Sequence, residues 1–121
     1  MKLKDLVKKV VYRHRADSES YSKWLTKQGL EIGRGTTFID PRTTVIDVTR
    51  PWMIKIGKSC CITAGVTILS HDYGWSVIKA KYGEVIGSVG FTSIGDNVYI
   101  GMNSTILGGG ECGVKCNYWS K

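Results

Sequence analysis

The chain contains two histidines, and one of them, His71, lies in a sequence context that suits acid–base chemistry. The unperturbed pKa of an imidazole lies nearer to neutrality than that of other side chains, so it can accept a proton from a hydroxyl and return it within one turnover. His71 belongs to residues 70–90, which interrupt a regular repeat, and loops on rigid scaffolds commonly carry active residues. His14 follows the apolar stripe of a predicted helix, where a histidine needs no ligand. The sequence therefore favours His71 as the candidate general base.

Four cysteines offer a second kind of chemistry, and they stand at Cys60, Cys61, Cys112 and Cys116. Adjacent cysteines do not form the pattern of a disulfide framework in a chain without an apolar signal segment, and no second histidine lies nearby to activate a thiol. We expect reduced thiols, with Cys60 in a turn and Cys61 on the inner wall of the fold. Cys112 and Cys116 could form half of a zinc site, but no suitably spaced second pair of ligands accompanies them. The sequence therefore predicts no bound metal.

A six-residue aliphatic repeat surrounds the candidate base. The repeat places a branched aliphatic residue in one phase at Ile56, Ile62 and Ile68, and again at Ile94, Ile100 and Ile106. Several of these residues are followed by glycine, as in Ile56-Gly57. One inward aliphatic residue and a turn-forming glycine per hexapeptide are typical of a parallel β-helix, in which each short strand stacks on the coil below. Three faces of six residues make one coil, so the sequence predicts an all-β solenoid of about three coils.

The breaks in the repeat predict how the chain is organised. The repeat begins at Ile32 and Phe38, slips by one residue to Val45, and meets a predicted turn at Pro51. It breaks again over residues 70–90, and no isoleucine or valine falls in phase after Leu107. We therefore expect a helical arm at 1–28 and a β-helix domain at 29–121, with an inserted loop at 70–90 and an irregular C-terminal tail.

The N-terminal arm is predicted to contain two helices. Apolar residues recur at helical spacing from Leu3 to Val11, with lysines on the remaining face. Asp17 or Ser18 can cap a second helix that Gly29 ends. Because the first coil of a solenoid exposes unpaired backbone and apolar interior, we expect the arm to cover that end.

The net charge of +7 is concentrated in this arm, since residues 1–28 carry eight basic and three acidic side chains. A solvated helix face is the simplest interpretation, and binding to a membrane surface or to nucleic acid is an alternative. Few aromatic residues lie among the basic ones, which weighs against single-stranded nucleic acid. No apolar run reaches the roughly 20 residues of a membrane span, and no secretory signal is apparent, so we expect one cytoplasmic domain.

Two runs of sequence resemble a known family. The run from Ile62 to Tyr73, a Gly-Glu pair at residues 83–84 and the run from Ile94 to Ser104 are similar to the hexapeptide-repeat acyltransferases. Within that family they look closest to the galactoside, maltose and polysaccharide O-acetyltransferases, over about residues 30–109. The resemblance implies a left-handed parallel β-helix, a homotrimer and acetyl-CoA bound between neighbouring subunits.

The resemblance also implies roles for individual residues. His71 would deprotonate a hydroxyl of a sugar or polysaccharide acceptor, which attacks the thioester directly while backbone N–H groups stabilise the oxyanion. Glu84 would orient His71 or touch the acceptor. The cofactor would contact Tyr99, Met102 and Ser104, although relatives carry Trp at the first of these positions and a small residue at the second.

Two alternatives accompany this interpretation. Relatives continue past Leu107 with further coils, so the resemblance predicts impaired CoA binding if the chain ends at Lys121. A non-catalytic trimeric scaffold, or a fragment of a longer acyltransferase, is then the competing hypothesis. The zinc-dependent carbonic anhydrases that share the β-helix need three histidine ligands per metal, and two histidines in this chain are too few.

Overall fold

A computed structural model of the chain describes residues 2–71, 74–83, 90–109, 111–112 and 117–118. Its helices are α1 (Leu3–Tyr12), α2 (Ser18–Gln28) and α3 (Gly74–Tyr82), with short 3-10 turns at Arg13–Arg15 and Pro51–Met53. The strands are β1 (Glu31–Ile32), β2 (Thr37–Phe38), β3 (Val45–Ile46), β4 (Ile54–Ile56), β5 (Cys61–Ile62), β6 (Thr67–Ile68), β7 (Thr92–Ile94), β8 (Tyr99–Ile100), β9 (Thr105–Ile106), β10 (Glu111–Cys112) and β11 (Asn117–Tyr118). No helix among the described residues has the length and apolar character needed to cross a membrane.

The strands form three parallel ladders. Ladder A contains β1, β4, β7 and β10, ladder B contains β2, β5, β8 and β11, and ladder C contains β3, β6 and β9. Successive strands of the chain visit A, B and C in turn, so each strand pairs with its counterpart from the previous circuit. This arrangement fits a left-handed β-helix, the fold that the resemblance implies.

The register of the ladders explains the six-residue repeat. Aligned residues stack in one column per ladder: Ile32, Ile56 and Ile94 in A, Phe38, Ile62 and Ile100 in B, and Ile46, Ile68 and Ile106 in C. All of these side chains are buried except Ile32, which is partly buried. The repeat therefore supplies the core, and most outward neighbours on the strands are polar or partly exposed.

The first coil departs from the sequence prediction at ladder C. Val45, the predicted inward residue, is about half exposed, whereas Ile46 is buried at 6% exposure. The two extra residues lie in the preceding turn, where the N–H groups of Thr43 and Thr44 both donate to the carbonyl of Asp40 at 3.2 Å. The slip in phase is consequently two residues, and the prediction that Val45 points inward was wrong.

Glycine allows the coils to approach closely at the corner between ladders A and B. A methyl group added at Gly57 would lie 2.5 Å from the carbonyl oxygen of Gly95 in the next coil. One added at Gly33 would lie 2.5 Å from the backbone nitrogen of Lys58. At these two positions the absence of a side chain is therefore required by contact between coils.

Helix α2 packs against the first coil, as predicted. Its cap is Asp17, whose carboxylate accepts from the N–H of Ser20 at 2.8 Å, and Gly29 ends it in the left-handed conformation at φ 109°. Tyr21 and Leu25 are fully buried within the core. The hydroxyl of Ser18 accepts from the N–H of Phe38 at 2.9 Å, which fixes the helix to the starting coil.

Helix α1 does not pack against the core in this way, and none of its residues is buried. The chain is held just after it by Arg15, whose Nη1 donates to the carbonyls of Pro41 and Thr44 at 2.8 Å each. The ring of His14 stacks on that of Trp24 with centroids 4.1 Å apart. The cap over the first coil is therefore α2, and α1 lies outside the core.

Two strands occur in the segment predicted to be irregular. Cys112 is in register with Ile94, and Tyr118 is in register with Ile100. These positions continue the six-residue phase from Ile106 with residue types that the aliphatic pattern did not include. For the described residues 111–112 and 117–118, the prediction of an irregular tail was wrong.

Candidate functional site

His71 lies where the chain leaves ladder C, three residues after the last residue of β6. Its imidazole is partly buried, with 26% of the side chain exposed. The imidazole Nδ1 is 2.6 Å from Oδ2 of Asp47, which follows β3 at the same corner of the preceding coil. Because β3 and β6 are paired in parallel register, the corner brings together two side chains that are 24 residues apart in sequence.

A network of donors surrounds the carboxylate of Asp47. The hydroxyl of Ser70 donates to Oδ2 at 2.6 Å, the same oxygen that contacts His71. The other oxygen, Oδ1, accepts from the Thr49 hydroxyl at 2.6 Å and from the Thr49 N–H at 2.9 Å. With only 4% of its side chain exposed, Asp47 is held in one orientation by these partners.

These contacts determine the protonation state of Asp47. Burial by itself would raise the pKa of this carboxyl, but hydrogen bonds from the Ser70 and Thr49 hydroxyls, the Thr49 N–H and His71 outweigh it. The pKa of Asp47 is therefore held far below its usual value, and the group is an anion at neutral pH. An anion can only accept, so the proton in the 2.6 Å contact belongs to Nδ1 of His71.

That proton position gives the imidazole its chemical capability. A neutral histidine with its proton on Nδ1 has the basic lone pair on Nε2, which can accept a proton. The adjacent anion then stabilises the imidazolium that forms. An aspartate that fixes tautomer and orientation in this way is a recognised partner of a histidine base.

Later residues of the chain hold the backbone just before His71. The N–H of Leu69 donates to the carbonyl of Ile106 at 2.9 Å, and the hydroxyl of Thr92 donates to the carbonyl of Leu69 at 2.8 Å. The N–H of Gly90 donates to the carbonyl of Ser70 at 3.0 Å. His71 is therefore attached directly to the wall of the solenoid.

The other predicted site residues lie elsewhere in the fold. Tyr99 is on β8 of ladder B with 40% exposure, and Met102 is 56% exposed in the turn that follows. Ser104 is buried just before β9, and its carbonyl accepts from the N–H of Thr67 at 2.9 Å. All three come before the ladder C strand of their coil, whereas His71 comes after the ladder C strand of its own coil. Within one chain they therefore lie at a different corner from the imidazole. Glu84 and Cys116 lie outside the described residues.

Cys60 and Cys61 lie at and before β5, away from this network. Cys60 is buried in the turn before β5, with Sγ 3.1 Å from the carbonyl oxygen of Gly95. Cys61 is partly exposed on β5, and the inward position belongs to Ile62. Neither of these two cysteines forms a disulfide with another described residue, and the prediction that Cys61 lies on the inner wall was wrong.

Sequence reasoning missed Asp47, Thr49 and Ser70. Asp47 and Thr49 lie where the sequence indicates only a break in the repeat before Pro51, and proximity in sequence suggests Glu84 rather than Asp47 as the partner of His71. The signal that could have found Asp47 is its place in the coil, since it directly follows a ladder C strand just as Leu69 does one coil later. Comparison of whole coils would have aligned the two corners.

The chain is similar to two bacterial proteins over most of its length. It is 32% identical over 107 residues to Protein CapG of Staphylococcus aureus, and the aligned region covers 88% of this chain and 58% of that protein. It is 33% identical over 92 residues to "Putative acetyltransferase YvoF" of Bacillus subtilis strain 168, and the aligned region covers 74% of this chain and 47% of that protein.

No protein-family model matches the chain. Among solved structures, serine acetyltransferase 1 of Entamoeba histolytica in complex with L-cysteine aligns with a TM-score of 0.40 and 23% identity, over 86% of this chain and 42% of that one. That likeness is too weak to argue from. The chain spans about half the length of the curated relatives it matches.

Proposed function

We propose that this chain belongs to the hexapeptide-repeat acyltransferases and transfers an acetyl group from acetyl-CoA to a hydroxyl of a sugar or polysaccharide. The proposal is carried by the 2.6 Å contact between Nδ1 of His71 and Asp47, which prepares Nε2 as a base on a rigid β-helix corner. Similarity to a protein whose name describes an acetyltransferase supports acyl transfer as the reaction class.

In the proposed reaction, Nε2 of His71 takes the proton from the acceptor hydroxyl as its oxygen attacks the thioester carbonyl carbon. The tetrahedral intermediate collapses, the carbon–sulfur bond breaks, and the CoA thiolate leaves. The thiolate then receives the proton from the imidazolium, so histidine and aspartate return to their starting states. Attack is direct, and no acyl-enzyme forms.

We further propose that the complete site lies between two protomers of a homotrimer. Tyr99 and Met102 are exposed, yet they belong to a different corner of the coil from His71. A neighbouring copy that presents ladder B and its following turn to His71 would bring the proposed cofactor contacts to the proposed base. Ser104, which is buried, would support the turn that carries Met102.

The proposal is tested by measuring thiol release from acetyl-CoA in the presence of a panel of mono- and oligosaccharides. Saccharide-dependent release should fall by about 10²-fold or more in His71→Ala, because the general base is lost. His14→Ala is the matched control, since it removes the other histidine from outside the ladders and should retain the activity.

Calorimetric titration with acetyl-CoA separates enzyme from scaffold. The His71→Ala variant should still bind acetyl-CoA, and sedimentation should give the mass of a trimer for both proteins. If the unmodified chain shows neither acetyl-CoA binding nor saccharide-dependent release, it is a non-catalytic scaffold. If release survives His71→Ala unchanged, His71 is not the base.

A further inference from the structure

Helix α1 presents its apolar face to solvent. Leu3, Leu6, Val7, Val10 and Val11 are each at least half exposed, from 51% for Leu6 to 76% for Leu3. At about 100° per residue these five side chains occupy one continuous arc of about 140°. Three of them, Leu3, Val7 and Val11, line a shallow groove along one flank of the helix together with Lys4, Lys8 and Tyr12.

The opposite face of α1 is directed toward the body of the protein. The guanidinium of Arg42, in the turn before β3, lies 5.2 Å from the centroid of the Tyr12 ring. Asp5, Lys8 and Lys9 line a cleft whose other wall is Ala16 and Asp17 at the start of α2. The helix thus turns its polar side, which is itself exposed, toward the body of the protein, the reverse of a helix that covers a core.

The charge around the apolar arc is strongly positive. Five basic side chains lie in or beside α1, namely Lys2, Lys4, Lys8, Lys9 and Arg13, against one acidic side chain, Asp5. Lys4 borders one edge of the apolar arc and Lys2 borders the other, and Asp5 lies on the face directed to the body. An apolar stripe with basic borders is typical of a helix that lies in the interface of a membrane with anionic lipids.

We propose that α1 docks this protein onto an anionic phospholipid surface, with Leu3, Leu6, Val7, Val10 and Val11 inserted between headgroups. Charge decides between occupants, because pairing of α1 with α1 of a second copy would bring their basic borders against each other. A bilayer with anionic lipids offers apolar depth and negative charge together. The helix has ten residues, so it lies along the surface.

Vesicle co-sedimentation of the full chain tests the proposal. The chain should bind vesicles of phosphatidylcholine mixed with phosphatidylglycerol and should bind vesicles of phosphatidylcholine alone at least ~10-fold more weakly. Raising the salt from about 50 to about 500 mM should release most of the bound protein. Equal binding to both vesicles, or binding to neither, overturns the proposal.

Two pairs of variants identify the surface. The double variant Leu6→Ser with Val10→Ser should lose at least ~10-fold in binding, whereas Val77→Ser with Leu107→Ser, at similarly exposed positions away from α1, should bind normally. Lys2→Glu with Lys4→Glu should lose binding, and Lys27→Glu with Lys58→Glu changes the formal charge equally and should retain most of it. Loss in the controls to the same extent would show a general charge or folding effect and would overturn the assignment to α1.

Light scattering of the same variants examines the competing occupant. If Leu6→Ser with Val10→Ser lowers the mass of the assembly in solution, the apolar face is covered by a second copy and the membrane proposal fails. If the mass is unchanged while vesicle binding is lost, the membrane surface is the occupant. This result is independent of the acyltransferase assay, so each proposal can fail without the other.

Discussion

The carboxylate of Asp47 and the imidazole of His71 meet at 2.6 Å because they occupy one corner of two successive coils. The contact between them does not depend on their neighbours in sequence. It is made by the pairing of β3 with β6, which brings the two side chains together. The anion orients Nδ1 and leaves Nε2 as the basic nitrogen. A histidine that would otherwise be one more loop side chain thereby acquires a fixed direction and tautomer.

Substitution of Asp47 should impair catalysis more than binding. In Asp47→Asn the amide can present its N–H₂ group to Nδ1, which favours the wrong tautomer and removes the charge that stabilises the imidazolium. We expect kcat for saccharide-dependent acetyl transfer to fall about 10²-fold or more, with the Kd for acetyl-CoA little changed. Steady-state kinetics and calorimetry measure the two quantities. Asp5→Asn removes a carboxylate from exposed α1, and an equal loss there would show that charge alone is responsible.

The same carboxylate should make the fold sensitive to acid. The folded pKa of Asp47 is depressed below the ordinary 3.8, so its contribution to the free energy of unfolding is complete above that value and is lost as the pH falls below it toward the folded pKa. The stability difference between the unmodified chain and Asp47→Asn should be constant near about pH 6 and shrink near about pH 3. Urea unfolding at the two values measures it. A difference that stays constant or grows in acid would contradict the assignment.

The donors around Asp47 should stabilise it to a measurable degree. Ser70→Ala and Thr49→Val each remove a hydroxyl that donates at 2.6 Å to a buried anion. Each should lower the free energy of unfolding by about 1–3 kcal/mol and reduce kcat, because the carboxylate is less firmly placed. Thr37→Val is a matched control, since that side chain is exposed on β2, away from Asp47. Unfolding by urea compares the three variants, and equal losses would show that the network around Asp47 is not special.

The core columns should tolerate truncation poorly. Ile62→Ala removes three carbons from a fully buried position in the middle of ladder B and should cost about 2–5 kcal/mol of stability. Ile39→Ala makes the same change directly after β2, where the side chain is 63% exposed, and should stay within about 0.5 kcal/mol. Chemical denaturation of both variants measures the contrast. Similar costs at the two positions would contradict the assigned inward direction.

A methyl group at the corner glycine should be destabilising for a different reason. Gly57→Ala would place Cβ 2.5 Å from the carbonyl oxygen of Gly95, and backbone on the next coil cannot move aside without shifting the ladder. We expect a loss of about 1–3 kcal/mol and a lower Tm. Differential scanning calorimetry of Gly57→Ala measures the effect. An unchanged Tm would mean that the coils are farther apart at this corner than described.

Much of the fold follows from sequence because one rule repeats. An isoleucine at every sixth position and a glycine after it determine the inward column and the close corner, and neither depends on residues far away. The two errors in phase arose where the rule changes. A longer turn at Asp40 moved the inward position from Val45 to Ile46, and Cys112 and Tyr118 continued the register with residues that the aliphatic pattern does not contain.

The site was harder to predict than the fold. His71 could be found because it is a histidine at a break in the repeat, which is a local signal. Asp47 could not be found in that way, since its role depends on which residue of the next coil lies above it. The two-residue slip before β3 also shifts Asp47 relative to a strict six-residue repeat. The register between β3 and β6 therefore has to be known before Asp47 and His71 can be recognised as a pair.

The position of His71 at the edge of the wall ties its placement to the packing of the coils. Its backbone is held through the two preceding residues, Leu69 and Ser70, whose partners are Ile106, Thr92 and Gly90. A change that loosens the ladder between β6 and β9 would therefore displace the imidazole as well as weaken the fold. The stability of this coil and the direction of the histidine cannot then be altered independently.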